Sequence, residues 1–462
     1  MRLATPTWKS RVTLVTVLGS QLALAALDID FNDEDSIKKA MNTTASQMLS
    51  YYTGYRPGDV AGNLPPPYYW WECGAMFGAL VEYWHYTGDT AYNDWTYQAM
   101  VHQQGNRHDY NPSNQSKSMG NDDQIFWGFA VMSAAEYNFQ NPPEGETQWI
   151  ALAENLFDQQ VARWNMDSCN GGLRWQVYQT SPGYNYKNTI SQAGLFNIAS
   201  RLAVWYDNKN ETFSKWANKI WDWTAGVGLL TDEYIFFDGG YEDDNCSKIT
   251  NEQHMYVPAL FLHGAANMYN LTGGSEKWGK RVDGIVDGLY KTYFPNHDGV
   301  MAEPCEVETC NTDMKSFKAY LARFSAAAIP LAPRIQQNVT YYLNASAKAA
   351  AQQCSGPDNA CGLRWTQREK YSGATGLGEA MSAMEIFKSL LVKPADKPNT
   401  GSSGGTSKGN GDGGSGVAPP PDPEEDPRTQ TIKAGDKAGG AILTVLGVLG
   451  PVAAAVMISE LV

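Results

Sequence analysis

Histidine is scarce, with 6 in 462 residues. None of them (His85, His102, His108, His254, His263, His297) falls in an H-E-x-x-H or comparable paired spacing, which excludes a zinc site of that kind. Basic residues are outnumbered: 35 Lys and Arg face 49 Asp and Glu, a formal net charge of -14. The acidic surplus falls on residues 27 to 396, and a surface of that sign repels phosphate backbones, so nucleic acid is excluded as a partner and neutral or cationic ligands are favoured. Runs that alternate apolar and polar residues are few, which argues against a sheet-built body. No fixed sequence period is present, which argues against a solenoid. The acidic run YEDDNC (241 to 246) lacks the spacing of a calcium loop, and GATGLG (373 to 378) follows no clear strand, so it reads as a turn and not as a phosphate cradle. No cofactor and no metal are expected.

Long apolar runs are confined to the two ends. Residues 1 to 26 place Arg2, Lys9 and Arg11 ahead of an apolar stretch ending in Ala23-Leu24-Ala25, the layout of a secretory signal peptide, and the run from Val12 is too short to span a bilayer. Residues 397 to 437 form a Gly/Ser/Pro-rich segment, read as a disordered linker. It leads into an apolar tail, 438 to 462. A tail of this kind after a polar spacer is the pattern of a GPI attachment signal. A retained tail anchor would keep basic residues beyond the span, whereas only Glu460, Leu461 and Val462 follow here. The expected place is the outer face of the plasma membrane, the cell wall, or both, with residues 27 to 396 as one folded body, expected to be a monomer.

Cysteine usage agrees with export. Seven cysteines imply disulfides with one left over. Cys305 with Cys310 and Cys354 with Cys361 are the local pairs, Cys169 with Cys246 is a further pairing, and Cys73, in an apolar run, is expected to be a buried inert thiol. Glycosylation sequons stand at Asn42, Asn114, Asn210, Asn270, Asn338 and Asn344; Asn245 is set aside because Cys246 occupies the middle position.

Helical periodicity dominates the body. It predicts helices near 33 to 51, 68 to 86, 90 to 104, 122 to 139, 147 to 164, 188 to 206, 211 to 226, 251 to 270, 275 to 293, 313 to 330, 336 to 353 and 375 to 391. Turn signals such as Thr87-Gly88-Asp89, Pro142-Pro143 and Thr272-Gly273-Gly274 separate them. The fold class is therefore all-α: a toroid of six helical hairpins forming a single domain. Aromatic residues make up 12% of the chain. Most belong in helix interfaces, but Tyr69, Tyr110, Tyr184, Tyr186 and others fall in loops, where a sugar ring can stack on them.

The segment GNDDQIFWGFAVMSAAEYN (120 to 138) carries the strongest chemical signal, Asp122 beside Asp123 at the start of a helix. Two readings stand. Acidic residues there satisfy free amides and the helix dipole, worth about 1 kcal/mol. Alternatively, two carboxyl groups at short range are the equipment of a retaining glycosidase, one as nucleophile and one as acid/base. Two such groups push each other's ionisation apart, so that one stays anionic while the other keeps its proton.

Several stretches together resemble glycoside hydrolase family 76, the fungal endo-α-1,6-mannanases. They are YYWWECGAMFGALVEYW (68 to 84), HDYNPSNQSKSMGNDDQIFWGFAVMSAAEYNF (108 to 139), CNGGLRWQVYQTSPGYNYKNTISQAGLF (169 to 196), FFDGG (236 to 240), FKAYLARF (317 to 324) and CGLRWTQREKYSGATGLGEAMSAMEIF (361 to 387). The resemblance implies an (α/α)6 barrel acting with retention, with Asp122 as nucleophile and Asp123 as acid/base. It implies that Asp109 and Tyr110 line the cleft, that Asn121 and Gln124 flank the pair, and that Lys187 and Asn188 form a second cleft motif. Lys187 either binds a sugar hydroxyl or pairs with a carboxylate. Trp71 and Trp175 match family aromatics that pack or stack. In His254-Met255-Tyr256-Val257 only Tyr256 keeps the family pattern, and Val257 implies a lost polar contact and an altered subsite. The implied substrate is α-1,6-mannan of the wall or a GPI-core glycan, in cell-wall biogenesis. Two alternatives remain: a transglycosylase that joins GPI-linked mannoproteins to wall glucan, and a wall mannan-binding protein without turnover.

Overall fold

The structure, a computed structural model, describes residues 26 to 410 apart from 116, 117, 210, 297, 308, 309, 369 and 370. The signal peptide, save its last residue, the tail at 438 to 462 and the linker beyond 410 lie outside the described residues. Twelve α-helices occur among the described residues: α1 Glu34–Leu49, α2 Trp70–Thr87, α3 Asn93–His102, α4 Asn121–Glu136, α5 Trp149–Ala162, α6 Thr189–Trp205, α7 Thr212–Gly226, α8 Tyr256–Leu271, α9 Glu276–Tyr293, α10 Phe317–Ala328, α11 Gln336–Gln353 and α12 Leu377–Ser389. Each matches an expected helix. The even-numbered helices form an inner ring in which each packs on the next and α12 closes against α2, while the odd-numbered helices pack outside them. This is the (α/α)6 barrel.

Burial explains the sorting. A helix that is apolar on one stripe belongs on the outside, and one with no solvent face belongs inside. Outer helix α9 buries Trp278, Val282, Ile285, Val286 and Leu289 on one side. Inner helix α6 is buried at every position. Small residues let the inner helices approach: a Cβ on Gly74 of α2 would lie 2.8 Å from the Trp127 ring of α4.

A three-stranded antiparallel sheet, β1 Tyr186–Asn188, β2 Gly239–Tyr241 and β3 Ile249–Thr250, was not expected. Strands of two or three residues carry no readable alternation. The three disulfides are Cys169–Cys246, Cys305–Cys310 and Cys354–Cys361, and Cys73 is a buried free thiol. Asn114, Asn338 and Asn344 are exposed. The Asn42 amide instead donates to Tyr83 Oη and Asp89 Oδ2, Asn270 accepts from Lys397, and Asn210 lies outside the described residues.

The two ends of the barrel differ. At the C-terminal end of the inner helices, buried ion pairs join Glu82 to Arg323 at 2.7 Å, Glu82 to Lys388, and Arg201 to Glu136 at 2.7 Å, tying α2, α4, α6, α10 and α12 together. Removing one member of such a pair strands a buried charge, at a cost of about 3 to 5 kcal/mol.

Here the boundary at 396 needs correction. Residues 397 to 410 are a strap that begins at this end and runs along α5. Asn399 N donates to Glu136 O, Gly401 N to Trp205 O and Asn410 N to Glu154, while buried Ser407 accepts from Ile150 N. Backbone groups make most of these bonds, so a Gly/Ser-rich composition does not reveal them. Ending the chain at Asp396 instead of Asn410 is expected to lower Tm by about 3 to 6 °C with kcat unchanged. Thermal melts and initial rates of the two lengths check this.

Candidate active site

The N-terminal ends of the inner helices surround an open cleft of about 530 Å³, within the usual size range of ligand sites. Trp70 and Trp71 come from the start of α2, Asp122 and Asp123 from α4, Asn188 from the cap of α6, Tyr256 from α8 and Phe317 from α10. In α4 every residue except Asp122 and Asp123 is buried, so the helix that is otherwise all core opens only at its two carboxylates. The free amides at these helix ends favour negative charge.

The pair is held closely. Asp122 Oδ2 accepts from Asn188 Nδ2 at 2.8 Å and Oδ1 from its neighbour's backbone N–H at 3.0 Å. Asp123 Oδ2 accepts from Gly120 N at 2.6 Å. Both acids therefore satisfy helix-end amides while facing the cleft, so the capping reading and the chemical reading describe the same residues. Gly120 sits against both. A Cβ there would overlap Asp122 Oδ1 and press on Asp123 Oδ2 at 3.2 Å, so both acids turn an oxygen toward the same glycine. Gly120→Ala is expected to cut kcat/KM about 100-fold by displacing the pair, with the fold intact by circular dichroism.

Electrostatics separate the two acids. Burial raises Asp122, and Asn188 with two backbone amides opposes that rise. Burial and then the Asp122 charge push Asp123 well above the usual carboxylate range. Asp122 thus ionises first and Asp123 keeps its proton, the division that acid/base work requires.

Two further carboxylates face the cleft. Asp313 accepts from Trp71 Nε1 at 3.1 Å and Asp238 from Tyr186 Oη at 2.6 Å. His254, also on the wall, is tied through Nδ1 to Glu303 at 2.9 Å, which raises its affinity for a proton against the effect of burial. Among the described lining residues there is no Lys or Arg. The cleft is anionic and suits an uncharged or cationic ligand.

Aromatic faces complete the lining. Tyr69 and Trp175 are 52% and 38% exposed, and Tyr256 stacks on Phe317 with centroids 3.9 Å apart. Gly183, at φ 85°, lies against the Trp175 ring, where a Cβ would meet it at 2.5 Å. A glycine is required there for both its conformation and its size. Among the described residues no group of three or more His, Cys, Asp or Glu side chains is placed to hold a metal ion.

Comparison with known proteins places this geometry. The family model described as glycosyl hydrolase family 76 matches residues 36–402. The chain belongs to glycosyl hydrolase family 76. It is 40% identical over 445 residues to the mannan endo-1,6-alpha-mannosidase DCW1 of Saccharomyces cerevisiae, covering 95% of this chain and 96% of that protein. It is also 40% identical to Dfg5 from Chaetomium thermophilum, whose crystal structure is in complex with glucosamine. That match has a TM-score of 0.79 over 84% of this chain and 97% of that one. An alpha-1,6-mannanase of Salegentibacter, solved as an inactive variant with alpha-1,6-mannotetrose, shares the fold at 16% identity, with a TM-score of 0.62 over 77% of this chain and 98% of that one.

Within this family 76 cleft, Asp122, Asp123, Asn188 and Tyr256 come together as expected. Five other expected contacts do not reach it. Tyr110 is fully buried, donates to Met100 O and stacks on Trp127. Asp109 is buried behind the site, where its carbonyl accepts from Gln124. Asn121 and Gln124 lie on the outer side of α4, against α5. Asn121 bonds Arg174 O and Arg163, and Gln124 Oε1 accepts from Gln160 and Arg163. They fix the helix start. Lys187 is fully buried and faces away from the cleft. The departure at Val257 also loses its expected consequence, because Val257 is buried in the core and does not line the cleft.

Sequence reasoning missed Gly120, Asp238, Asp313 and the His254–Glu303 pair. Asp238 lay within the quoted FFDGG run. Asp313 had no signal, because its meaning comes from Trp71, distant in sequence.

Proposed function

We propose that the protein is a retaining, endo-acting mannan endo-1,6-alpha-mannosidase working on cell-wall mannan. The observation that carries this reading is the Asp122–Asp123 pair crowded against Gly120 at the floor of an open cleft. Such closeness suits a retaining pair, whose carboxyls stand about 5 to 5.5 Å apart, better than an inverting pair at about 6.5 to 9.5 Å with a water between them. The open cleft suits binding in mid-chain. The names of relatives at about 40% identity across nearly the whole chain support the linkage.

In the first step Asp122, the acid that ionises first, attacks C1 of the sugar while Asp123 gives its proton to the departing oxygen. Asp123 then takes a proton from water, which releases the product from Asp122 with the original anomeric configuration. Asn188 holds the Asp122 carboxylate in place, and Tyr69 and Trp175 offer faces for neighbouring mannose rings. The leader and tail legible in the sequence support a place at the outer face of the membrane through a GPI anchor, or in the wall.

Proton NMR of the first products from a linear α-1,6-mannooligosaccharide tests the reaction. Retention and mid-chain cleavage give α-anomeric oligosaccharides ahead of mutarotation. First-formed β product, or mannose alone, would sink the reading. Adding a wall-glucan fragment to the same reaction detects transfer as a joined product.

A further inference from the structure

Strand geometry gives Lys187 a different task from sugar binding. In β1 successive side chains point to opposite faces, so Tyr186 and Asn188 face the cleft and Lys187 faces backward. Its ammonium is buried in a cage of carbonyls, donating to Gly171 O at 2.7 Å, Ser168 O at 2.8 Å and Asn165 O at 3.2 Å, with Asn165 Oδ1 at 3.1 Å and Glu242 at 3.4 Å. The loop that supplies the cage is itself fastened by Cys169–Cys246 and by Trp223 Nε1 to Cys169 O at 2.8 Å. On its other edge β1 is registered on β2, with Lys187 opposite Gly240 and Asn188 opposite Gly239. The next residue outward is the donor to Asp122.

We infer that Lys187 is a positioning residue, which anchors β1 from behind so that the Asn188 amide stays on the Asp122 carboxylate. This rests on the reading of Asp122 as nucleophile. A lysine suits the place because its three donors converge on carbonyls from several directions, whereas the planar fork of an arginine would not fill the same cage.

The test is the acid limb of kcat/KM against pH. The nucleophile must be ionised, and an N–H donated to a carboxylate lowers its pKa, so loss of the Asn188 contact moves the limb to higher pH. The other titratable groups facing Asp122 are Asp123, Asp313 and Tyr256, and they are the same in every variant. Burial raises Asp122 to about 7 and, opposed by Glu242, brings Lys187 down to about 8, so Lys187 is mostly charged over the parent limb, titrates close to the shifted limb of N188A, and is absent from the K187M variants.

Asn188→Ala sets the reference, with an upward shift of about one pH unit. Lys187→Met is expected to shift the limb in the same direction, with KM little changed, and the double variant K187M/N188A to shift it no further than N188A. A wild-type limb in K187M, with only a smaller active fraction, would overturn the inference, as would an additive shift in the double variant. If K187M fails to fold, Glu242→Gln keeps the shape and weakens the anchor. It is expected to give a smaller upward shift, and an unmoved limb there would equally overturn the inference. An unmoved limb in N188A would instead count against Asp122 as nucleophile, which separates the two failures.

Discussion

Asp122→Asn is expected to lower kcat/KM on α-1,6-mannan by about 10⁴-fold or more, the scale on which a covalent nucleophile matters, while Tm stays within a few degrees of the parent. The amide oxygen still accepts the neighbouring N–H and the side chain keeps its volume, so the fold has no reason to fail. What is lost is the anion that forms the bond to C1. The new NH2 group takes the place of Oδ2, to which Asn188 Nδ2 donates at 2.8 Å, so the Asn188 amide turns over to accept from it with its oxygen. Binding of mannooligosaccharide by calorimetry should persist, because Tyr69, Trp175 and the remaining lining are untouched. Equal, negligible turnover by the parent and the variant, with binding intact, would favour a mannan-binding protein over an enzyme.

Asp123→Ala is expected to lose about 10²- to 10⁴-fold on the same polysaccharide, the usual worth of a positioned acid/base. Its signature is selective. A substrate whose leaving group needs no proton, such as an aryl mannoside with a low leaving-group pKa, should lose far less in its first step. Azide, a nucleophile that needs no base, should restore turnover and give a glycosyl azide whose configuration follows from attack on the Asp122 ester. The raised proton affinity of Asp123, caused by burial and by the Asp122 charge, is the physical ground for this assignment. Rate loss that is uniform across leaving groups, without azide rescue, would count against it.

Much of this was legible in the chain because two signals are local. Helical periodicity placed all twelve helices, and the adjacent acids at a helix start marked the site. Edges moved where tertiary contacts intervene. The helix expected from 251 begins at Tyr256, because residues before it are drawn to Glu303, which accepts from Met255 N and bonds His254. The one expected from 313 begins at Phe317, after a 3₁₀ turn that carries Met314 into the cleft wall.

The misses share a cause. Tyr110 stands in a polar loop, but at φ 58° the chain turns and sends its ring into the core against Trp127. Lys187 looked like a cleft residue because its neighbour Asn188 is one, and a one-residue step in a strand reverses the face. Asn121 and Gln124 flank the acids in sequence, yet at about 100° per residue they turn away from the cleft toward outer helix α5, where Arg163 and Gln160 meet them. In each case the side chain's direction, and not its chemical type, decided the role.

The most direct measurement is the identity of the residue that carries the sugar. Incubation with a fluorinated α-mannobiosyl fluoride, whose glycosyl-enzyme turns over slowly, followed by proteolysis and tandem mass spectrometry, reads the attachment site. The account requires one mannobiosyl adduct, an ester on Asp122, absent from Asp122→Asn. An adduct on Asp123, Asp238 or Asp313, or inverted product with no adduct at all, would contradict it.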